Sequence, residues 1–185
     1  MNIKSWSIVA VVALIFSKAA FAEEFMLHSR DMNEGKFTAT QTLSASYGLG
    51  CSGGNISPQL SWENAPKGTK SFVLIMSDED APTGIGWTHW VVANIPSTTS
   101  EINAGSGGHP QKLPNGAQET LTDFGEPGYT GPCPQKGQIH RYVMTLYALN
   151  VEKLNVEAKT MPALMRLLVK QNSIGLTSIT ALQSR

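Results

Sequence analysis

The chain has little of what most readily betrays a function. It carries no basic run, and its 14 Lys plus Arg are balanced by 14 Asp plus Glu over 185 residues. The electrostatic footprint that nucleic-acid binding requires is therefore missing, and no nucleic-acid partner is expected. Only two cysteines occur, Cys51 and Cys133, and they lack the C-x-x-C spacing of redox pairs or zinc thiolates. The apolar run at residues 8–16 falls far short of the ~20 residues a spanning helix needs, and Lys18 interrupts its end. There is no internal repeat and no low-complexity tract.

What the N-terminus does have is a positive start at Lys4, that short apolar run, and a small-x-small site at Ala20-Phe21-Ala22. Together these read as a secretory signal peptide over residues 1–22, with cleavage after Ala22, a periplasmic mature chain and no transmembrane segment left in it. Cleavage removes Lys4 and Lys18 but no acid, so 12 basic residues face 14 acidic ones and the mature chain is mildly acidic. Residues 23–185 suit one domain, large enough to bury a proper core without a structural metal. In an oxidising compartment an even pair of cysteines is expected to be a disulfide. Closing the Cys51 to Cys133 loop would stabilise by about 4.5 kcal/mol on loop-entropy grounds, an upper figure that strain commonly reduces.

Short apolar segments at 71–76, 89–95, 139–149 and 178–182, separated by turn residues, read as strands. In 139–149 both alternating faces are largely apolar, which predicts a strand inside a sheet. One helix is predicted from about Thr160, a candidate N-cap, with Pro162 in its first turn, a buried stripe of Met161, Leu164, Met165 and Leu168, and Gly175 as the stop. Residues 97–138 are rich in Gly, Pro, Asn and Ser; so long an irregular segment is expected to shape a site.

Three motif matches are declined. Gly50-Cys51-Ser52-Gly53-Gly54 fits the G-x-S-x-G pattern, but Ser44-Ala45-Ser46-Tyr47 before it is no buried strand, and Pro58 soon after it blocks a helix. The same context removes the overlapping Gly48, Gly50, Gly53 dinucleotide pattern. Asn55-Ile56-Ser57 is formally a glycosylation sequon followed directly by proline. The plainer reading is a glycine-rich loop pinned at Cys51.

His89 and His140 sit at strand edges, in Thr88-His89-Trp90 and Ile139-His140-Arg141-Tyr142, and Asp78, Glu79 and Asp80 close another strand. Strand ends of an antiparallel sandwich converge at its rims, where these segments could meet. In extended chain Asp78 and Asp80 point the same way, and like charges so close call for donors. A neighbouring imidazole would supply them, and the pairing would raise the histidine pKa. Taken singly, each residue has a duller role: a solvated acidic turn, a satisfied histidine between Trp87 and Trp90, an alternating strand residue. The residues alone leave both readings open.

Taken together, Gly54-Asn55-Ile56-Ser57-Pro58 with Leu60 and Trp62, Asp78-Glu79-Asp80-Ala81-Pro82, His89-Trp90-Val91-Val92, and Gly131-Pro132 through His140-Arg141-Tyr142 resemble the phosphatidylethanolamine-binding (Raf kinase inhibitor-like) family, in its bacterial branch. The resemblance runs over residues 25–182. It implies a mainly β fold, a sandwich of two antiparallel sheets with a C-terminal helix, and a small rim pocket for phosphate-like anions or phospholipid head groups. Carried onto this sequence, the ligand-binding residues are Asp78, Asp80, Pro82, His89, His140 and Tyr142, with Gly131 and Pro132 as a wall. The implied role is a non-enzymatic binder or regulator of a small anionic or zwitterionic ligand, with no cofactor and no metal. Two departures stand out: Glu79 replaces the proline of the family's usual Asp-Pro-Asp-Ala-Pro, and Cys133 occupies a loop position where cysteine is not typical. Inhibition of eukaryotic kinases is not implied, because a periplasmic chain does not meet them. Two alternatives are carried: a surface that acts by binding another protein or a second copy of this chain, and a hydrolase whose Asp78, Asp80, His89 and His140 hold a divalent metal.

Overall fold

In the computed structural model, residues 23–32 and 34–185 are described; the candidate signal peptide lies outside them. In chain order the elements are β1 Met26–His28, β2 Leu60–Glu63, β3 Ser71–Asp78, β4 Trp87–Pro96, β5 Glu101–Ile102, β6 Gln118–Glu119, β7 Ile139–Leu149, α1 Pro162–Asn172 and β8 Ser173–Ser184. They form a small antiparallel sheet, β1-β2-β5, and a larger antiparallel one, β6-β4-β3-β7-β8. The expected pair of sheets and C-terminal helix are thus present. No helix among the described residues is long and apolar enough to cross a membrane.

β3 lies at the centre of the large sheet and every one of its residues is buried. That explains its unbroken apolar run: Phe72, Leu74 and Met76 meet Leu60 and Trp62 of the small sheet, while Val73 and Ile75 meet Met165 and Val169 of α1 on the other side. β7 is interior too, between β3 and β8. Its even-numbered residues from His140 to Ala148 are buried, and its odd-numbered ones are wholly or partly exposed as far as Tyr147.

Three local expectations are corrected. Met161, not Thr160, stands at the helix N-cap, because the Thr160 hydroxyl instead accepts a hydrogen bond from the Glu157 N–H at 2.9 Å. The buried stripe is consequently Pro162, Met165 and Val169, with Leu168 partly covered and Met161 and Leu164 exposed. Gly175 is no helix stop: the helix has already ended, and Gly175 lies inside β8, opposite Ala148. A Cβ there would come within 2.6 Å of Pro66 Cγ, so close packing rather than a turn calls for glycine. β8 is accordingly much longer than the 178–182 expected.

Cys51 and Cys133 are joined by a disulfide with their Cα atoms 6.0 Å apart. It ties the glycine-rich loop after Tyr47 to the long segment that precedes β7.

Candidate functional site

The register of the large sheet assembles the site. Asp78, the last residue of β3, lies opposite Tyr142 of β7 and Trp87 of β4, so three strands deliver side chains to one rim. His140, two residues before Tyr142, shares its face. Between the pairs Met76 with Trp90 and Ser77 with Thr88, β4 carries one extra residue, His89. Such a bulge re-aims a side chain and is common beside functional sites.

These groups line a cavity of about 340 Å³, a volume suited to a small ligand. Asp78 and His140 are both about 5 % exposed, and the His140 Nδ1–H donates to Asp78 Oδ2 at 2.7 Å. The other Asp78 oxygen accepts the Asp80 N–H at 2.9 Å, and His140 Nε2 faces Gln138 Oε1 at 2.8 Å. His89 Nδ1 donates to the Thr130 carbonyl at 2.7 Å, which leaves Nε2 as its remaining polar atom. Phe124 and Tyr142 pack edge-on to the His89 ring, with centroids 5.3 and 5.2 Å away.

His89 makes no pair with an acid, since its Nδ1–H goes to the Thr130 carbonyl. Burial pushes its imidazole below the ordinary value, outweighing the Thr130 hydrogen bond and the charge of Asp78. At neutral pH it is therefore an uncharged ring. Burial, reinforced by the charge of Asp78, pushes the Tyr142 phenol far above its usual value, so it remains protonated.

Six of the eight residues named as ligand-binding lie on the cavity: Asp78, Pro82, His89, Gly131, His140 and Tyr142. Asp80 does not. The strand ends at Asp78 and the chain turns at 79–80, so the two carboxylates diverge instead of sharing a face. Asp80 instead accepts from the Arg141 backbone N–H, Nε and Nη2 at 2.8, 3.0 and 2.7 Å, and those bonds lower its pKa to about 2. The four-residue metal set considered above is thus not assembled. Pro132 is also off the cavity; its carbonyl accepts from Leu43 N–H at 3.1 Å, and Cys133 and Pro134 take its place on the wall.

Asn55 holds that wall in position. Its side chain donates to the Tyr129 carbonyl at 3.2 Å and accepts the Gly131 N–H at 2.8 Å, so the sequon's amide is occupied at both ends. Gly131 itself is packed so tightly that any Cβ would run into the backbone carbonyl of Gln41. Sequence reasoning missed Phe124, Leu43, Leu49 and Arg185 as lining residues. Phe124 alone left a signal: it is an aromatic in the long polar segment 97–138, where few large apolar side chains occur.

Residues 33–184 match the family described as Phosphatidylethanolamine-binding protein. The chain is 45 % identical over 137 residues to the UPF0098 protein YbhB of Escherichia coli K12, covering 74 % of this chain and 87 % of that protein. It is 39 % identical over 175 residues to YbcL of the same organism, covering 94 % of each. The crystal structure of E. coli YbcL superposes with a TM-score of 0.83 at 38 % identity, covering 88 % of this chain and 99 % of that one. A putative phosphatidylethanolamine-binding homologue from Chlamydia trachomatis superposes at 0.68 and 28 % identity, covering 87 % and 97 %. With the family match running through every strand that builds the cavity, the chain belongs to the phosphatidylethanolamine-binding protein family.

Proposed function

We propose that this protein is a periplasmic, non-enzymatic binding protein whose rim pocket takes a small phosphate-bearing or otherwise anionic or zwitterionic ligand. The observation that carries the reading is the meeting of Asp78, His89, His140 and Tyr142 on one open cavity. Pro82, Trp87 and Phe124 supply apolar walls, and the few polar groups would fix the orientation of a ligand. Secretion is supported by the N-terminal sequence pattern and by the disulfide, a bond that persists in oxidising compartments.

The alternative of a metal-dependent hydrolase would need a converging set of ligands. Among the described residues no three His, Cys, Asp or Glu side chains gather as they would around a metal ion. A catalytic zinc takes three protein ligands and leaves a fourth position to water.

The pH dependence of binding tests this reading. Because His89 is uncharged at neutral pH, lowering the pH adds a positive charge to the cavity, and an anionic ligand binds more tightly once it is there. The gain sets in below the ordinary histidine pKa, because the shift is downward. Glycerophosphoethanolamine is a suitable probe, since a phosphodiester and an amine keep their charges over the interval. Calorimetry with it from about pH 8 downward is expected to show level affinity near neutrality and a rise only below the ordinary histidine pKa. Affinity independent of pH, or no binding anywhere in the interval, would count against the pocket.

A further inference from the structure

One cationic side chain stands on the cavity wall, and the family resemblance did not point to it. Arg185 follows β8, and its main-chain oxygen accepts the Gly137 N–H at 3.0 Å. Its Nη1 donates to the Leu49 carbonyl at 2.8 Å and lies 3.4 Å from Cys133 Sγ. The guanidinium rests against Gly50, where a Cβ would come within 2.5 Å of Nη2 and displace it. Gly50 has φ +82°, so glycine there serves both the backbone and the seat of the arginine.

This seating differs from that of the other arginines near the rim. Arg141 is occupied by Asp80, and Arg166 donates to Ser77 Oγ at 2.6 Å. Among the described residues no carboxylate pairs with Arg185, and its Nε and Nη2 make no hydrogen bond. The polar atoms of the floor are already engaged: Asp78 accepts from His140 and from the Asp80 N–H, His140 Nε2 faces Gln138, and His89 Nδ1 is held by the Thr130 carbonyl. An oxyanion entering this cavity therefore finds its countercharge at the mouth. A guanidinium presents a rigid fork of donors matched to phosphate or carboxylate, and here two of its nitrogens are unspent.

We propose that Arg185 is the anion anchor of the pocket, gripping the phosphate or other oxyanion group of the ligand at the mouth while the remainder enters toward His89 and Tyr142. The inference rests on the ligand-pocket reading above. It names a residue that sets the charge of the ligand, and it assigns the Cys51 to Cys133 bond a role in seating that residue, since the bond holds Leu49 and Gly50 against the wall.

The test compares wild type, Arg185→Gln and Arg185→Lys, titrated with inorganic phosphate and with glycerophosphoethanolamine. The glutamine variant is expected to bind about tenfold more weakly, the low end for a charge-assisted hydrogen bond at a partly wet site, and the lysine variant to recover part of the loss. Wild-type affinity should fall as salt is raised and that of the glutamine variant should not, a difference that a merely structural role does not produce. Unchanged melting temperatures would show that the exposed side chain acts on the ligand and not on the fold. The two probes separate the sources of the anion: tighter phosphate binding indicates a free ion, tighter diester binding a lipid head group, and either supports the anchor when Arg185→Gln weakens it. Wild-type binding that survives Arg185→Gln unchanged overturns the anchor and leaves the pocket standing. Wild type that binds neither probe removes both.

Discussion

Asp78→Ala is expected to cost the fold about 3 kcal/mol, the scale for leaving two buried donors without their acceptor. The magnitude follows from what the carboxylate satisfies: the His140 Nδ1–H at 2.7 Å and the Asp80 N–H at 2.9 Å both lose their acceptor. A buried donor left unpaired costs about 1 to 3 kcal/mol. Asp78→Asn keeps the shape and one acceptor oxygen but removes the charge, so about half that loss is expected. Ligand affinity should fall at least about tenfold in both, because His140 is released from the orientation the carboxylate imposes. Urea unfolding together with calorimetry checks the two readouts. An alanine variant as stable as wild type would mean that the pair lies open to water, contrary to its roughly 5 % exposure.

Replacing both Cys51 and Cys133 by serine is expected to lower stability by about 3 kcal/mol, below the loop-entropy figure because strain and residual structure reduce it. For a chain of this size the loss corresponds to a fall of about 6 to 12 °C in melting temperature. Ligand affinity should fall as well, because Cys133 forms part of the cavity wall and the bonded loop contributes Leu49. Thermal melts of the double variant, with the probe titration repeated below the melting range, measure both effects. Stability within about 1 kcal/mol of wild type would show that hydrogen bonds such as Leu43 N–H to the Pro132 carbonyl already hold the loops together.

Much of this architecture was legible in the sequence, and the places where it was not share a physical cause. The fully buried β3 announced itself as an unbroken apolar run, and two largely apolar faces in 139–149 marked a strand inside a sheet. Asp78, His89, His140 and Tyr142 could be named because they belong to ordered motifs. Asp80 was misplaced because a two-residue rule for extended chain was carried past the end of the strand, where the backbone already turns. The helix stripe slipped in phase because Met161 lies outside the first helical turn. The burial that pushes the His89 pKa down left no trace in the sequence, which shows its acidic neighbours but not its depth. Arg185 was invisible for another reason: it reaches the mouth only through the long pairing of β8 with β7 and a loop bonded at Cys51. Contacts that depend on tertiary closure leave no local pattern in the chain.

The large-sheet register also explains why motifs so far apart in sequence serve one place. Asp78 faces both Trp87 and Tyr142, and the bulge at His89 turns a third strand's imidazole into the same space. The segment 97–138 then closes the cavity with Phe124, and Asn55 ties the following Tyr129 and Gly131 to the loop behind them. Strands fix the polar floor and loops supply the wall, a division that allows ligand choice to change without disturbing the core.

The most direct measurement is a crystal grown with saturating glycerophosphoethanolamine. Ligand density is expected inside the cavity among Asp78, His89, His140 and Tyr142, with its phosphate toward Arg185. Density confined to another surface while this cavity holds only solvent would contradict the assignment of the rim as the binding site.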